Sequence, residues 1–198
     1  ETGHPVLVLT EDDNAANRFA ADLRGFSERD IVQLPSRELV MADVVGVSRG
    51  YEQRRLAALD ELTEAHFAVA SVQAAAQRTM PPEALKAAIV SLATGETAPL
   101  DELAQSLTRA GYERCVQVEG TGQFSIRGGI LDVFPPQAEH PYRVEFWDDE
   151  IDSISTFDVG SQRRLEQCEC LRCLPCMESI PALAKGGAAG LAKAVLAL

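Results

Sequence analysis

A chain of 198 residues, 46% hydrophobic and 24% charged, is long enough for one or two small domains with real cores. Its 30 acidic and 18 basic residues give a formal net charge of -12, the wrong sign for a surface that grips a phosphate backbone along a basic stripe. No apolar run approaches the roughly 18 residues that cross a bilayer. Five cysteines, an odd number with no secretion signal, fit a reducing, cytoplasmic setting. The opening Glu1-Thr2-Gly3-His4 has neither a Met nor a basic-then-apolar leader pattern and reads as a trimmed end.

The first third alternates strands and helices. Pro5 to Leu9 is a continuous apolar run, as expected of a strand covered on both faces. Thr10 with Asp13 three residues on resembles a capping box, and Ala15, Phe19, Ala20 and Leu23 recur at helical spacing up to a stop at Gly25. Ile31 to Leu34 reads as a second strand, halted by Pro35. Ser48 is a cap for a helix whose apolar face holds Tyr51, Leu56, Leu59 and Leu62, and Phe67 to Ala70 is a third strand. Strand-helix-strand units of this kind build a parallel sheet.

Pro81-Pro82 punctuates the chain. Lys86 to Thr94 is helical by composition, yet its apolar residues also alternate, so a strand stays open. Leu100, Leu103, Ala104, Leu107 and Ala110 mark an amphipathic helix that Gly111 stops. From Tyr112 onward the period is mostly two. Phe124 and Ile126 oppose Ser125 and Arg127; Gly128-Gly129 marks a sharp bend or bulge; Ile130 to Phe134 is the next strand. Tyr142, Val144 and Phe146 share one face, and Arg143, Glu145 and Trp147 share the other. Asp148-Asp149 makes a tight turn into a strand from Ile151 to Phe157. The result is an antiparallel meander with one helix beside it, an α+β arrangement. A short helix is expected after Gly190, ending abruptly as a truncated domain would.

The outward row Arg143, Glu145, Trp147 carries the most information. Leaving an indole in water forgoes roughly 1.5–3 kcal/mol of burial. Either the 100–110 helix covers it, or a partner protein does, since Trp and Arg are the residue types most enriched at binding hot spots. Arg127 extends the same surface if its register matches. Cys168, Cys170, Cys173 and Cys176 lie too close together for the usual pair of separated Cys-x-x-Cys ligands, so packing is expected and no metal site. Lys185 to Lys193 is glycine-rich, but the chain contains no Gly-Lys-Ser/Thr triplet, so no phosphate loop and no cofactor site are expected. His4, His66 and His140 are scattered, and Asp148, Asp149, Glu150 and Asp152 read as a solvated hairpin tip. No catalytic constellation assembles.

Three stretches are recognisable: Gly122-Gln123-Phe124-Ser125-Ile126-Arg127-Gly128-Gly129-Ile130-Leu131-Asp132-Val133-Phe134-Pro135, Tyr142 to Ile154, and Phe157-Asp158-Val159-Gly160-Ser161-Gln162-Arg163-Arg164. They closely resemble the transcription-repair coupling factor family (Mfd), and the damage-verifying helicase UvrB carries a similar block. The weaker resemblance runs from about Val6 to Pro175. It implies an α/β fold in which residues 1–87 begin a degenerate helicase-like (Rossmann-like) parallel-sheet domain, 88–174 form an inserted α+β antiparallel-sheet domain that binds UvrA, and 175–198 start the return to the first domain. It also favours a strand over Lys86 to Thr94. The family's UvrA-contacting arginines fall on Arg127 and Arg143 and its contacting aromatic on Trp147, where phenylalanine is common. The resemblance implies a UvrA-recruiting module of transcription-coupled nucleotide excision repair, without catalysis of its own. ATP, magnesium, RNA polymerase and double-stranded DNA would belong to other parts of the parent translocase. The alternatives are a piece of a UvrB-like helicase or a nucleotide-dependent ATPase domain.

Overall fold

Three short apolar runs in the first third form β1 (Val6–Thr10), β2 (Ile31–Leu34) and β3 (Phe67–Ser71), a parallel sheet in the order β1-β3-β2. The computed structural model describes residues 4–37, 50–178 and 186–196, and the chain falls into two units, Glu1–Glu83 and Ala84–Leu198. The architecture is mixed α/β.

In the first unit α1 (Asp13–Phe26) lays Ala16 and Ala20 against Ile31 and Val69. Its cap is Asp12, whose carboxylate accepts from the Ala15 amide at 2.7 Å; Thr10 is not the cap but donates its hydroxyl to the Asp12 carbonyl. Gly25 does not end the helix, which runs one residue past it. The helix α2 (Gly50–Glu61) packs Ala58 against Val32, Leu34 and Ala70; the expected cap Ser48 lies outside the described residues. A short α3 (Val72–Ala76) follows β3 directly, capped by the Ser71 hydroxyl. The strand β1 is less covered than expected: Leu7 and Leu9 are exposed, so its apolar run is not buried on both faces.

Lys86 to Thr94 is divided between the two expected states. The helix α4 (Pro82–Ala88) starts with a proline at its first position, where no amide hydrogen is needed, and β4 (Val90–Ala93) follows after one residue. In the second unit α5 (Leu100–Arg109) is the amphipathic helix that the spacing predicts. Gly111, at φ +91°, supplies the left-handed residue after it.

The strands β5 (Glu113–Arg114), β6 (Gln123–Arg127), β7 (Ile130–Phe134), β8 (Tyr142–Trp147), β9 (Glu150–Phe157) and β10 (Arg164–Cys168) form one sheet in the order β10-β9-β8-β7-β6-β5. It is an antiparallel meander except at its end, where β5 runs parallel to β6. The strand β11 (Cys170–Cys173) pairs with β4 as a separate ribbon. Leu103 and Leu107 of α5 pack on Phe124, Leu131, Val133, Val144 and Ile154, the core face of the sheet. Each fully buried leucine contributes roughly 1.5–3 kcal/mol. The last helix, α6 (Gly187–Leu196), begins four residues earlier than a helix starting after Gly190 would. The glycine-rich stretch is therefore helical from Gly187.

Candidate docking surface

The face of the sheet opposite α5 is built by strand alternation. Ser125, Asp132, Arg143 and Ser155 stand in register across β6, β7, β8 and β9. One step nearer the hairpin turns, Arg127, Ile130, Glu145 and Ser153 form the next row, and Trp147 lies beyond it, paired with Glu150. The turns aim these rows. Gly128-Gly129 is a two-residue hairpin loop rather than a bulge: Gly128 has φ +59°, and a Cβ on Gly129 would sit 3.0 Å from the Phe146 carbonyl oxygen. Asp148 at φ 57° makes the matching turn after Trp147, a conformation that Asp tolerates. The irregularity in the sheet is on β9, where Asp152 is the extra residue between Ile151 and Ser153, so alternation along β8 is undisturbed.

Asp132 is the centre of the surface. Its side chain is 3% exposed, and its two carboxylate oxygens accept three charge-assisted hydrogen bonds. Arg143 donates Nε to Oδ1 at 2.7 Å and Nη2 to Oδ2 at 2.8 Å, a bidentate fork; Arg127 donates Nη2 to Oδ2 at 3.0 Å. Arg143 also donates to Gln162 Oε1, and its guanidinium lies 4.4 Å from the centre of the Phe157 ring. The Asp132 hydrogen bonds raise its pKa above the ordinary arginine value. Beside this cluster Glu145 accepts from the Ser153 hydroxyl at 2.6 Å and from Arg164 at 2.7 Å, which together hold its carboxyl below the usual range.

The structure brings together the three residues singled out in the sequence, in different states. Trp147 is 81% exposed, so α5 does not cover it; the helix packs on the Val144 side instead. The Arg127 side chain is 52% exposed with one bond to Asp132. Arg143, 20% exposed, is largely committed to Asp132, Gln162 and Phe157. Sequence reasoning missed Asp132, Gln162 and Phe157. The one available signal was a lone carboxylate inside the apolar run Ile130 to Phe134, since a buried charge needs partners.

Elsewhere, Cys173 and Cys176 are buried in the core while Cys170 is exposed, and no group of three or more potential metal ligands occurs among the described residues. Burial pushes the Cys173 thiol up to about 12, the opposite of what a thiolate ligand needs. At the C-terminal edge of the parallel sheet, where open α/β folds bind phosphates, the Asp13 carboxylate accepts from Ser36 and from the Ser71 hydroxyl. A phosphate there would meet Asp12 and Asp13. No described helix is long and apolar enough to cross a membrane.

Residues 90–178, which contain this surface, match the family described as the UvrB interaction domain. The chain is also similar to proteins named transcription-repair-coupling factor. It is 35% identical over 184 residues to that of Bacillus subtilis strain 168, covering 91% of this chain and 16% of the relative. With that of Mycobacterium bovis it shares 36% identity over 175 residues, 83% of this chain and 14% of the relative. With that of Escherichia coli K12 the identity is 32% over 176 residues, 88% and 15%. Over most of its length the chain is similar to the transcription-repair-coupling factors. It spans about one sixth of the length of these relatives, and the residues that match the UvrB interaction domain take in α5, the six-stranded sheet and the β4–β11 ribbon. Within that domain the outer face of β6, β7 and β8 unites exposed apolar area with oriented guanidinia.

Proposed function

We propose that this chain is a protein-docking module that recruits UvrA in transcription-coupled nucleotide excision repair, with Arg127, Arg143 and Trp147 as its contact residues. The observation that carries the reading is an indole 81% exposed at the end of β8, on the same face as a guanidinium cluster. Such an anchor gains by desolvation against an apolar slot, while neighbouring arginines donate to acidic or carbonyl groups. Arg127, with one internal bond, has donors to spare; Arg143 shapes the surface as well as lining it. Despite the net charge of -12, three guanidinia, of Arg127, Arg143 and Arg164, meet two carboxylates, of Asp132 and Glu145, at the centre of this face, while the hairpin tip beside Trp147 carries Asp148, Asp149 and Glu150.

On this reading residues 88–174 are the UvrA-binding domain. Residues 1–87 begin a helicase-like (Rossmann-like) domain that has lost its phosphate loop, and 175–198 return to it. The chain works by binding rather than by catalysis. The longer protein would couple it to RNA polymerase and DNA through an ATP-driven translocase. The test is calorimetric titration of UvrA with the chain. Trp147→Ala is expected to weaken binding by about 2 kcal/mol or more while leaving the melting temperature unchanged, and Arg127→Ala to weaken it less. Unchanged affinity in both variants would defeat the assignment.

A further inference from the structure

We propose that Asp132 is the positioning residue of this docking surface: its buried carboxylate holds Arg127 and Arg143 in place before the partner arrives and cancels one of their two charges, so the surface matches a single partner carboxylate. The inference rests on the docking reading above.

Three observations support it. The carboxylate is 3% exposed, so water does not satisfy it; the two arginines do. Its partners come from the two strands that flank it, Arg127 from β6 and Arg143 from β8, so one side chain ties three strands at the face that carries Trp147. The bidentate fork and the Phe157 ring fix the plane of the Arg143 guanidinium, while Arg127 is held by one bond and keeps half its side chain in solvent. Long arginine side chains fixed in advance lose less freedom on binding. Two guanidinia around one carboxylate leave one net positive charge. A partner that offered a cluster of carboxylates would meet Asp132 as a like charge, whereas one carboxylate facing Arg127, beside an apolar slot for the indole, would not.

The sign of one substitution separates positioning from simple charge. Asp132→Asn makes the surface more positive, and an acidic partner drawn only by charge would then bind as tightly or more tightly. If Asp132 positions the arginines, the Asn amide can accept from one guanidinium but faces the other with its NH2, and affinity falls about tenfold. The experiment is titration of UvrA with the intact chain carrying D132N, beside W147A and the wild type, with circular dichroism and melting temperature as the folding control. Equal or tighter binding by folded D132N, with W147A weakened, overturns the positioning role alone. Absence of wild-type binding overturns the docking reading and this inference with it. Should D132N fail to fold, 15N relaxation of the arginine Nε groups in the wild-type chain decides. Arg143 Nε is expected to be as rigid as the backbone, and mobility equal to that of exposed Arg18 overturns the proposal.

Discussion

On the α5 side of the six-stranded sheet Phe124, Leu131, Val144 and Ile154 are buried; on the other side Ser125, Asp132, Ser155 and Phe157 are buried almost as fully. Burial does not distinguish these two sets of residues, although the outer face also carries Trp147, 81% exposed. What differs is the interaction that sets their geometry. The α5 face is held by shape: apolar side chains fill space, and neighbours adjust to modest changes of outline. The outer face is held by direction. Asp132, Arg143, Gln162, Glu145, Ser153 and Arg164 are joined by hydrogen bonds whose donors and acceptors cannot be exchanged. The first arrangement stabilises a domain; the second can also display charges at fixed angles to another molecule.

The contrast can be broken in three ways. The largest expected effect is on the α5 face. Phe124→Ala removes a fully buried ring from beneath the helix and is expected to cost about 3–5 kcal/mol by urea denaturation. Next is Arg143→Met, which keeps the volume and a favourable contact with Phe157 but removes the fork on Asp132. A loss of about 3 kcal/mol is expected from the same measurement, because the buried carboxylate is left with Arg127 alone. A neutral result would mean that the outer face, too, is held by shape. The smallest effect is that of pH on Glu145. Its carboxyl is held below the usual range by Ser153 and Arg164, so its contribution is present above the unfolded value of about 4.5 and is lost as pH falls through the lower folded value. Wild type is expected to exceed Glu145→Gln by roughly a few tenths of a kcal/mol at pH 7, as for a half-exposed pair, and to lose that margin as acid protonates the Glu145 carboxylate. A gap that persists in acid would show that charge is not the cause.

Elements whose geometry repeats along the chain were legible. The period of two from Tyr142 to Trp147 placed Arg143, Glu145 and Trp147 on one face before any fold was known, and the bulge on β9 did not disturb it. The i, i+3, i+4 spacing located α5. Local competition was harder to read: the Asp12 carboxylate took the cap assigned to Thr10, and Pro82 started a helix that runs into the stretch expected as a strand. The motifs around Arg127 and Arg143 pointed to the family, and the match over residues 90–178 agrees.

Alternation along each strand, and with it which side chains share a face, follows from the backbone and was therefore in the sequence. Whether α5 would also cover Trp147 was not, because helix and sheet meet through residues distant in the chain. The same holds for Asp132. Its place in an apolar run marked it as a charge in need of partners, but Arg127 and Arg143 became those partners only when strand order and register set β6 and β8 on either side of β7.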